Sequence, residues 1–156
     1  MSEKYLESLQ KAIKGLQIAD HMAYVTYPVV NDKRLLLKIL DQVYESLIHI
    51  INAILQHDYL FKKIQLYKDA KSNFRIFSEK CAPRYDISKE QVIEILDALS
   101  IAEKHRKSPL EFARKDKVVI MSDNLKTSII DIDRIKKYLI LSKKLLEKAN
   151  LGILHK

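Results

Sequence analysis

An antiparallel bundle of about five helices, with a small β-hairpin at about residues 117–130 inserted before the last of them, is the all-α fold that the sequence predicts. Three observations carry it. Across most of the 156 residues, apolar positions recur at spacings of three and four. Glycine occurs only at Gly15 and Gly152, and strand-rich folds use it freely at turns and bulges. Finally, "VVIMSDNLKTSII" places two β-branched runs around a polar centre.

Residues 3 to 23 carry Tyr5, Leu6, Leu9, Ile13, Leu16 and Ala19 at helical spacing, with Ser2 as a cap. Pro28 biases Tyr27 away from helical angles, which predicts a break there and a new cap at Asn31 or Asp32. From Lys33 to about Phe61 apolar residues cover most of the helical circumference, the mark of a central helix. A third helical segment, with Ile64, Leu66, Tyr67, Ala70, Phe74, Ile76, Phe77 and Cys81, runs to Pro83 with an interruption near "KDAKSN".

"ISKEQV" is the clearest start signal. Ser88 caps, Gln91 answers three residues on, and Ile87 staples against Val92. Val92, Ile95, Leu96, Leu99 and Ala102 form the inward stripe of that helix, which ends near His105. Ser108 with Glu111 then reads as a second capping box with Pro109 at the first helical position. The hairpin follows, its turn at Ser122–Leu125 relying on Asp123 and Asn124 for left-handed angles. Asp131 or Asp133 starts the last helix, with Ile135, Tyr138, Leu139, Ser142, Leu145, Leu146 and Ala149 inward and a left-handed cap at Asn150 and Gly152.

No linker, repeat or low-complexity tract divides the chain, so residues 1–156 read as a single helical-bundle domain. The glycine count also excludes functions. Neither a Walker loop nor a dinucleotide fingerprint can be written from this chain, because both need glycines where backbone approaches phosphate. A single cysteine, Cys81, forms no internal disulfide and no thiolate zinc site, and two residues before Pro83 it reads as a buried thiol. The opening "MSEKYLESLQKAIKG" lacks the apolar core of a signal peptide, and no uncharged run approaches membrane-spanning length. The expectation is an intracellular, cytoplasmic protein without a membrane segment.

Asp41, Glu45 and His49 share one helix face and resemble a metal set. Arg34, Lys38, Asn52 and Gln56 fall in the same sector, however, so the set reads as the solvated stripe of an apolar helix. No Glu-x-x-His occurs, and neither a metal nor a cofactor is expected. Asp20 and His21 have no serine or cysteine nucleophile near them in sequence, and His21 reads as a hydrogen-bonded histidine at a helix end.

Charge is the remaining signal. The net charge is +8, and residues 1 to 60 hold 6 Lys/Arg against 7 Asp/Glu while residues 61 to 118 hold 14 against 9 and residues 119 to 156 hold 8 against 4. "FKKIQLYKDAKSNFR" interleaves Lys62, Lys63, Lys68, Lys71 and Arg75 with Phe61, Tyr67 and Phe74, types that contact phosphates and stack bases. A second cluster, His105, Arg106, Arg114, Lys115, Asp116 and Lys117, surrounds the segment before the hairpin.

"VTYPVVNDKRLLL", "KSPLEFARKDKVVI" and the helix after "TSIIDIDRIKKY" resemble an uncharacterised family of small helical archaeal proteins, over most of the chain. That likeness brings no catalytic motif. The overall plan is similar to the HEPN bundles, basic helical domains associated with RNA cleavage and toxin systems. Their active members carry an arginine and then a histidine with about four to six residues between them, a resemblance at the level of fold only. None of Arg34, Arg75, Arg84, Arg106, Arg114 or Arg134 has such a histidine, so the likeness implies the non-catalytic branch.

The sequence therefore predicts a non-catalytic module that binds RNA or another polyanion through Lys62, Lys63, Lys71, Arg75, Arg106, Arg114 and Lys115. A homodimer is compatible with the abundant apolar helix surface. Two alternatives stand beside it: a metal-independent ribonuclease with His105, Arg106, Glu111 and Arg114 as its working set, and an antitoxin-like partner protein.

Overall fold

In the computed structural model, which describes residues 4–154, apolar periodicity becomes helices packed around one long central element. Helix α1 (Lys4–His21) buries Leu9, Ala12, Leu16 and Ala19, and passes through a wide turn (Met22–Thr26) into the short α2 (Tyr27–Val30). Helix α3 (Arg34–Leu60) is the centre, and α1, α5 (Lys89–Lys107) and α6 (Ile132–Leu154) all pack on it. Its Leu36, Ile39, Leu40, Leu47, Ile50 and Ile54 are fully enclosed, each contributing about 1.5–3 kcal/mol relative to exposure.

Helix α4 (Ala70–Ile76) leads through a second wide turn (Phe77–Cys81) and a 3-10 turn (Ala82–Tyr85) into α5. Between α5 and α6 stand β1 (Leu110–Arg114), β2 (Lys117–Met121) and β3 (Thr127–Ile130), an antiparallel sheet in that order. Phe112 pairs with Val119 and Val119 with Ile129. The buried Val118 and Ile120 of β2 turn toward α3 and α5. No described helix is long and apolar enough to cross a membrane.

Several expectations are met. The capping box at the start of α5 is complete, with Gln91 N donating to Ser88 Oγ at 3.1 Å and Ser88 N to Gln91 Oε1 at 3.0 Å. Asp32 Oδ1 accepts from Arg34 N at the start of α3, and Asp131 Oδ1 from Arg134 N at the start of α6. The cap expected at Ser2 lies outside the described residues.

Others are corrected. Tyr27 is helical (φ −60°, ψ −45°), and the chain ends its first helical run only at Asn31, with φ 52°. The wide turn starts a new register, and Pro28 falls in its first turn, where a missing N–H costs nothing. The third segment is not helical from Ile64. Lys62 turns the chain at φ 59°, and the Asn73 side chain holds both Tyr67 N and Tyr67 O, so helix waits for the Asp69 cap. On α5, Leu96 is exposed while Ala98 and Ile101 point inward.

The capping box at Ser108 does not exist. Ser108 Oγ donates to Leu110 O and Met121 O, closing a strand end, and "LEFAR" is β1, so the hairpin is in fact a three-stranded sheet. Leu125, not Asp123 or Asn124, takes the left-handed angle between β2 and β3. Gly152 is helical and buried, and α6 runs on to Leu154. A Cβ on Gly152 would lie 2.3 Å from the Tyr85 ring, and one on Gly15 would lie 2.3 Å from Ser46 Oγ. Both glycines therefore serve close packing against a neighbouring helical segment.

Candidate functional site

Strand β1 follows α5 after two residues, and this short connection brings Glu111 back over the last turn of α5. His105 Nδ1 meets Glu111 Oε2 at 2.6 Å, and His105 Nε2 meets Asp41 Oδ2 on α3 at 3.2 Å. Burial opposes a charge on this ring, but the hydrogen bonds and charges of Glu111 and Asp41 outweigh it and raise the His105 pKa. Arg106 completes the cluster. Its guanidinium lies 4.2 Å above the Tyr44 ring and 3.7 Å from both Asp41 Oδ1 and Glu45 Oε1. Asp41 Oδ1 is buried without a hydrogen bond, and Arg106 is the cation nearest to it while His105 meets the other oxygen.

Three members of the working set, His105, Arg106 and Glu111, are thus brought together. Arg114 is not among them. It stands three residues from Glu111 on a strand, where odd separations place side chains on opposite faces. Both imidazole nitrogens are engaged by carboxylates, so a substrate proton could reach the ring only by displacing one of them. The geometry suits a clasp that fastens β1 and α5 to α3. The solvated stripe is corrected in part as well, since Asp41 and Glu45 of that stripe are the carboxylates that Arg106 and His105 use. Among the described residues, no group of three or more His, Cys, Asp or Glu is placed to hold a metal ion.

The other predicted cations lie elsewhere. Lys62 and Lys63 follow the end of α3, fifteen residues and more beyond Glu45, which at 1.5 Å per residue is more than about 20 Å along the helix. With Lys80 they line a groove between the loop after α3 and the wide turn after α4, floored by Ile64 and Ile76 and flanked by Gln65 and Tyr67. Its lining holds three lysines and no carboxylate. Tyr67 of the lining is 55% exposed, while the ring of Phe61, just before Lys62, lies 4.6 Å from that of His57. Lys71 and Arg75 are exposed on α4 but do not line the groove, since Arg75 sits one residue, about 100°, round the helix from Ile76. Arg114 and Lys115 occupy the β1–β2 turn, with Lys115 at φ 57°. The predicted basic set therefore does not converge on one place.

Sequence reasoning missed Lys80, whose signal was its spacing of four from Ile76. It also missed a buried network beneath the groove. Asp58, fully enclosed, accepts from the Tyr85 hydroxyl at 2.9 Å and from Arg84 at 2.6 Å, and lies 3.2 Å from His57 Nδ1. Burial pushes the Asp58 carboxyl up, but hydrogen bonds from His57, Cys81 and Tyr85 and the charge of Arg84 hold it below its ordinary value. Tyr85 is pushed up by burial and by Asp58. Lys63 N donates to Asp58 O, and Arg84 Nε to Lys80 O, so the network ties both sides of the groove to the core. The findable signal was Asp58 standing four after Ile54 and seven after Ile51, on an apolar stripe. Asp20 contacts Lys143, not His21, whose Nδ1 lies 3.5 Å from Thr26 Oγ1. Cys81 is buried, as expected.

No protein-family model matches the chain, and no curated protein matches it significantly.

Proposed function

We propose that the chain is a binding module for a single-stranded phosphate polyanion, RNA in the first place, and that its contact surface is the groove of Lys62, Lys63 and Lys80. The observation that carries this reading is the lining itself: three lysines line one groove without an acidic residue, with the exposed Tyr67 among them. Lysines track a phosphate backbone, and an aromatic face such as that of Tyr67 stacks a base at about 1–3 kcal/mol without demanding a sequence. The Asp58 network supports the reading because it fixes the backbone at Lys63 and Lys80 from below, so less ordering is needed on binding.

This assignment departs from the set read from sequence. Arg106 is committed to Asp41, Glu45 and Tyr44, and Arg114 and Lys115 stand at the turn of another element. The test is fluorescence anisotropy of a labelled single-stranded RNA with three proteins. Wild type should bind, K62E/K63E/K80E should lose binding by more than about 100-fold, as expected for removing several phosphate contacts, and R114A/K115A should bind as wild type does. Loss of binding in R114A/K115A with retention in the triple variant would overturn the assignment. Cleavage of the RNA by wild type, lost in H105A, would replace the binding reading with the ribonuclease one.

A further inference from the structure

Between the end of α3 and the cap of α4 the chain runs from Lys63 to Tyr67 without helix or strand, and burial alternates along it. Ile64 and Leu66 pack against the core, while Lys63, Gln65 and Tyr67 are exposed. A period of two is that of extended backbone, so the three exposed side chains share one face. At about 3.3 Å per residue, each stands about 7 Å from the next.

The segment is fixed at both ends. Lys63 N donates to Asp58 O at 2.9 Å, and the Asn73 side chain accepts from Tyr67 N at 2.8 Å and donates to Tyr67 O at 2.9 Å. Its middle is open. Among the described residues, none bonds the Gln65 side-chain amide or its backbone N–H and C=O. Gln65 is also the only amide in the groove lining, and it stands between Lys63 and Tyr67 on their shared face. The groove has a volume of about 410 Å³, at the small end of the range for sites that hold a single small molecule, so it takes one nucleotide of a strand at a time.

Resting on the assignment of this groove to single-stranded RNA, we infer that Gln65 is its specificity-determining residue and that it selects adenine. A base stacked on Tyr67 turns one edge to Gln65 while its phosphate stays with the lysines. Stacking is indifferent to the base; the edge contact is not. The carboxamide offers an acceptor beside a donor, and so pairs through two bonds with an edge that offers a donor beside an acceptor. Adenine has its N6 amino donor flanked by the acceptors N1 and N7, so it meets that demand on either exposed edge. Guanine meets it on one edge only, its N7 and O6 both being acceptors, and the single rings of cytosine and uracil cover less of Tyr67.

The experiment is fluorescence anisotropy with short labelled uridine strands whose central base is adenine, uracil or purine, the adenine analogue that keeps both rings and lacks the amino group. The proteins are the full chain, Q65A and K62E/K63E/K80E. Wild type should bind the adenine strand roughly tenfold tighter than the uracil strand, the size of one bidentate base contact, and tighter than the purine strand. In Q65A the adenine and purine strands should bind alike, with the salt dependence of wild type kept because no phosphate contact is removed. Circular dichroism of Q65A should match wild type, since Gln65 is exposed. Equal wild-type binding of the adenine and purine strands would overturn the proposal, as would a Q65A protein that keeps the wild-type preference. If the triple variant then loses all three strands, the lysine groove still stands. Wild-type binding to none of the strands would overturn the groove assignment and this inference together.

Discussion

The Tyr85 hydroxyl donates to Asp58 Oδ1 at 2.9 Å across 27 positions of sequence, joining the turn before α5 to the last turns of α3 in a place with no solvent exposure at the carboxylate. A buried charge of this kind is sustained only by complete partnering, and Asp58 has Arg84, Tyr85, His57 and Cys81 around it. Asp58→Ala should therefore cost about 3–5 kcal/mol in urea unfolding, because Arg84 and Tyr85 are left without their acceptor. The pH dependence follows from the lowered pKa. Its stabilisation is present above the ordinary carboxylate range and is lost as pH falls through the lowered folded-state value. Acid unfolding of wild type should show this loss, and Asp58→Asn should remove it.

The clasp at His105 has the opposite sign. Burial opposes its charge, but Glu111 from β1 and Asp41 from α3, which hold its two ring nitrogens, raise its pKa, with Arg106 and Glu45 beyond Asp41. A raised folded-state value means stabilisation that is full below the ordinary imidazole range and disappears as pH rises through the raised value. Urea midpoints should fall over that interval in wild type. In His105→Gln the unfolding free energy should be lower at acidic pH, by about 1.5–3 kcal/mol for the lost charge-assisted bonds, and the midpoint flat across the interval.

Gly152 faces the Tyr85 ring so closely that Gly152→Ala places a methyl group 2.3 Å from a ring carbon. Overpacking of this kind costs about 1–3 kcal/mol. The intrinsic helix preference of alanine over glycine would stabilise by about 1 kcal/mol if the site were open. The sign of the measured change in thermal midpoint decides between close packing and a helix end that merely tolerates glycine.

Arg106→Ala gives a fourth outcome. Its guanidinium is held by Asp41, Glu45 and Tyr44, so its loss should lower stability by about 0.5–1 kcal/mol, the range of half-exposed ion pairs with a cation–π contact. Binding of single-stranded RNA should be unchanged. Calorimetry and anisotropy on the same sample separate the two.

Much of this architecture is legible in the residues. The long apolar helix from Arg34, the Ser88–Gln91 box and the inward face of α6 all follow from periodicity and caps that act locally. What escaped was set by tertiary partners. Ser108 and Glu111 have the spacing of a capping box, but Glu111 finds His105 and Ser108 finds the end of β2, so the segment becomes a strand. Asp41 looked solvated because its partner is 64 positions away. The lysines of the groove are visible as lysines, whereas the convergence of Lys80 on Lys62 and Lys63 depends on how the turn after α4 folds back over the loop after α3.

The salt dependence of RNA binding tests the groove most directly. Binding of a labelled single strand is measured across a series of salt concentrations for wild type and for Lys80→Ala. Contacts from three lysines predict a slope of log K against log salt of about −2, at roughly −0.7 per contact on a single strand, and a slope shallower by about 0.7 in Lys80→Ala. A wild-type slope near zero, or one that Lys80→Ala leaves unchanged, would contradict the assignment.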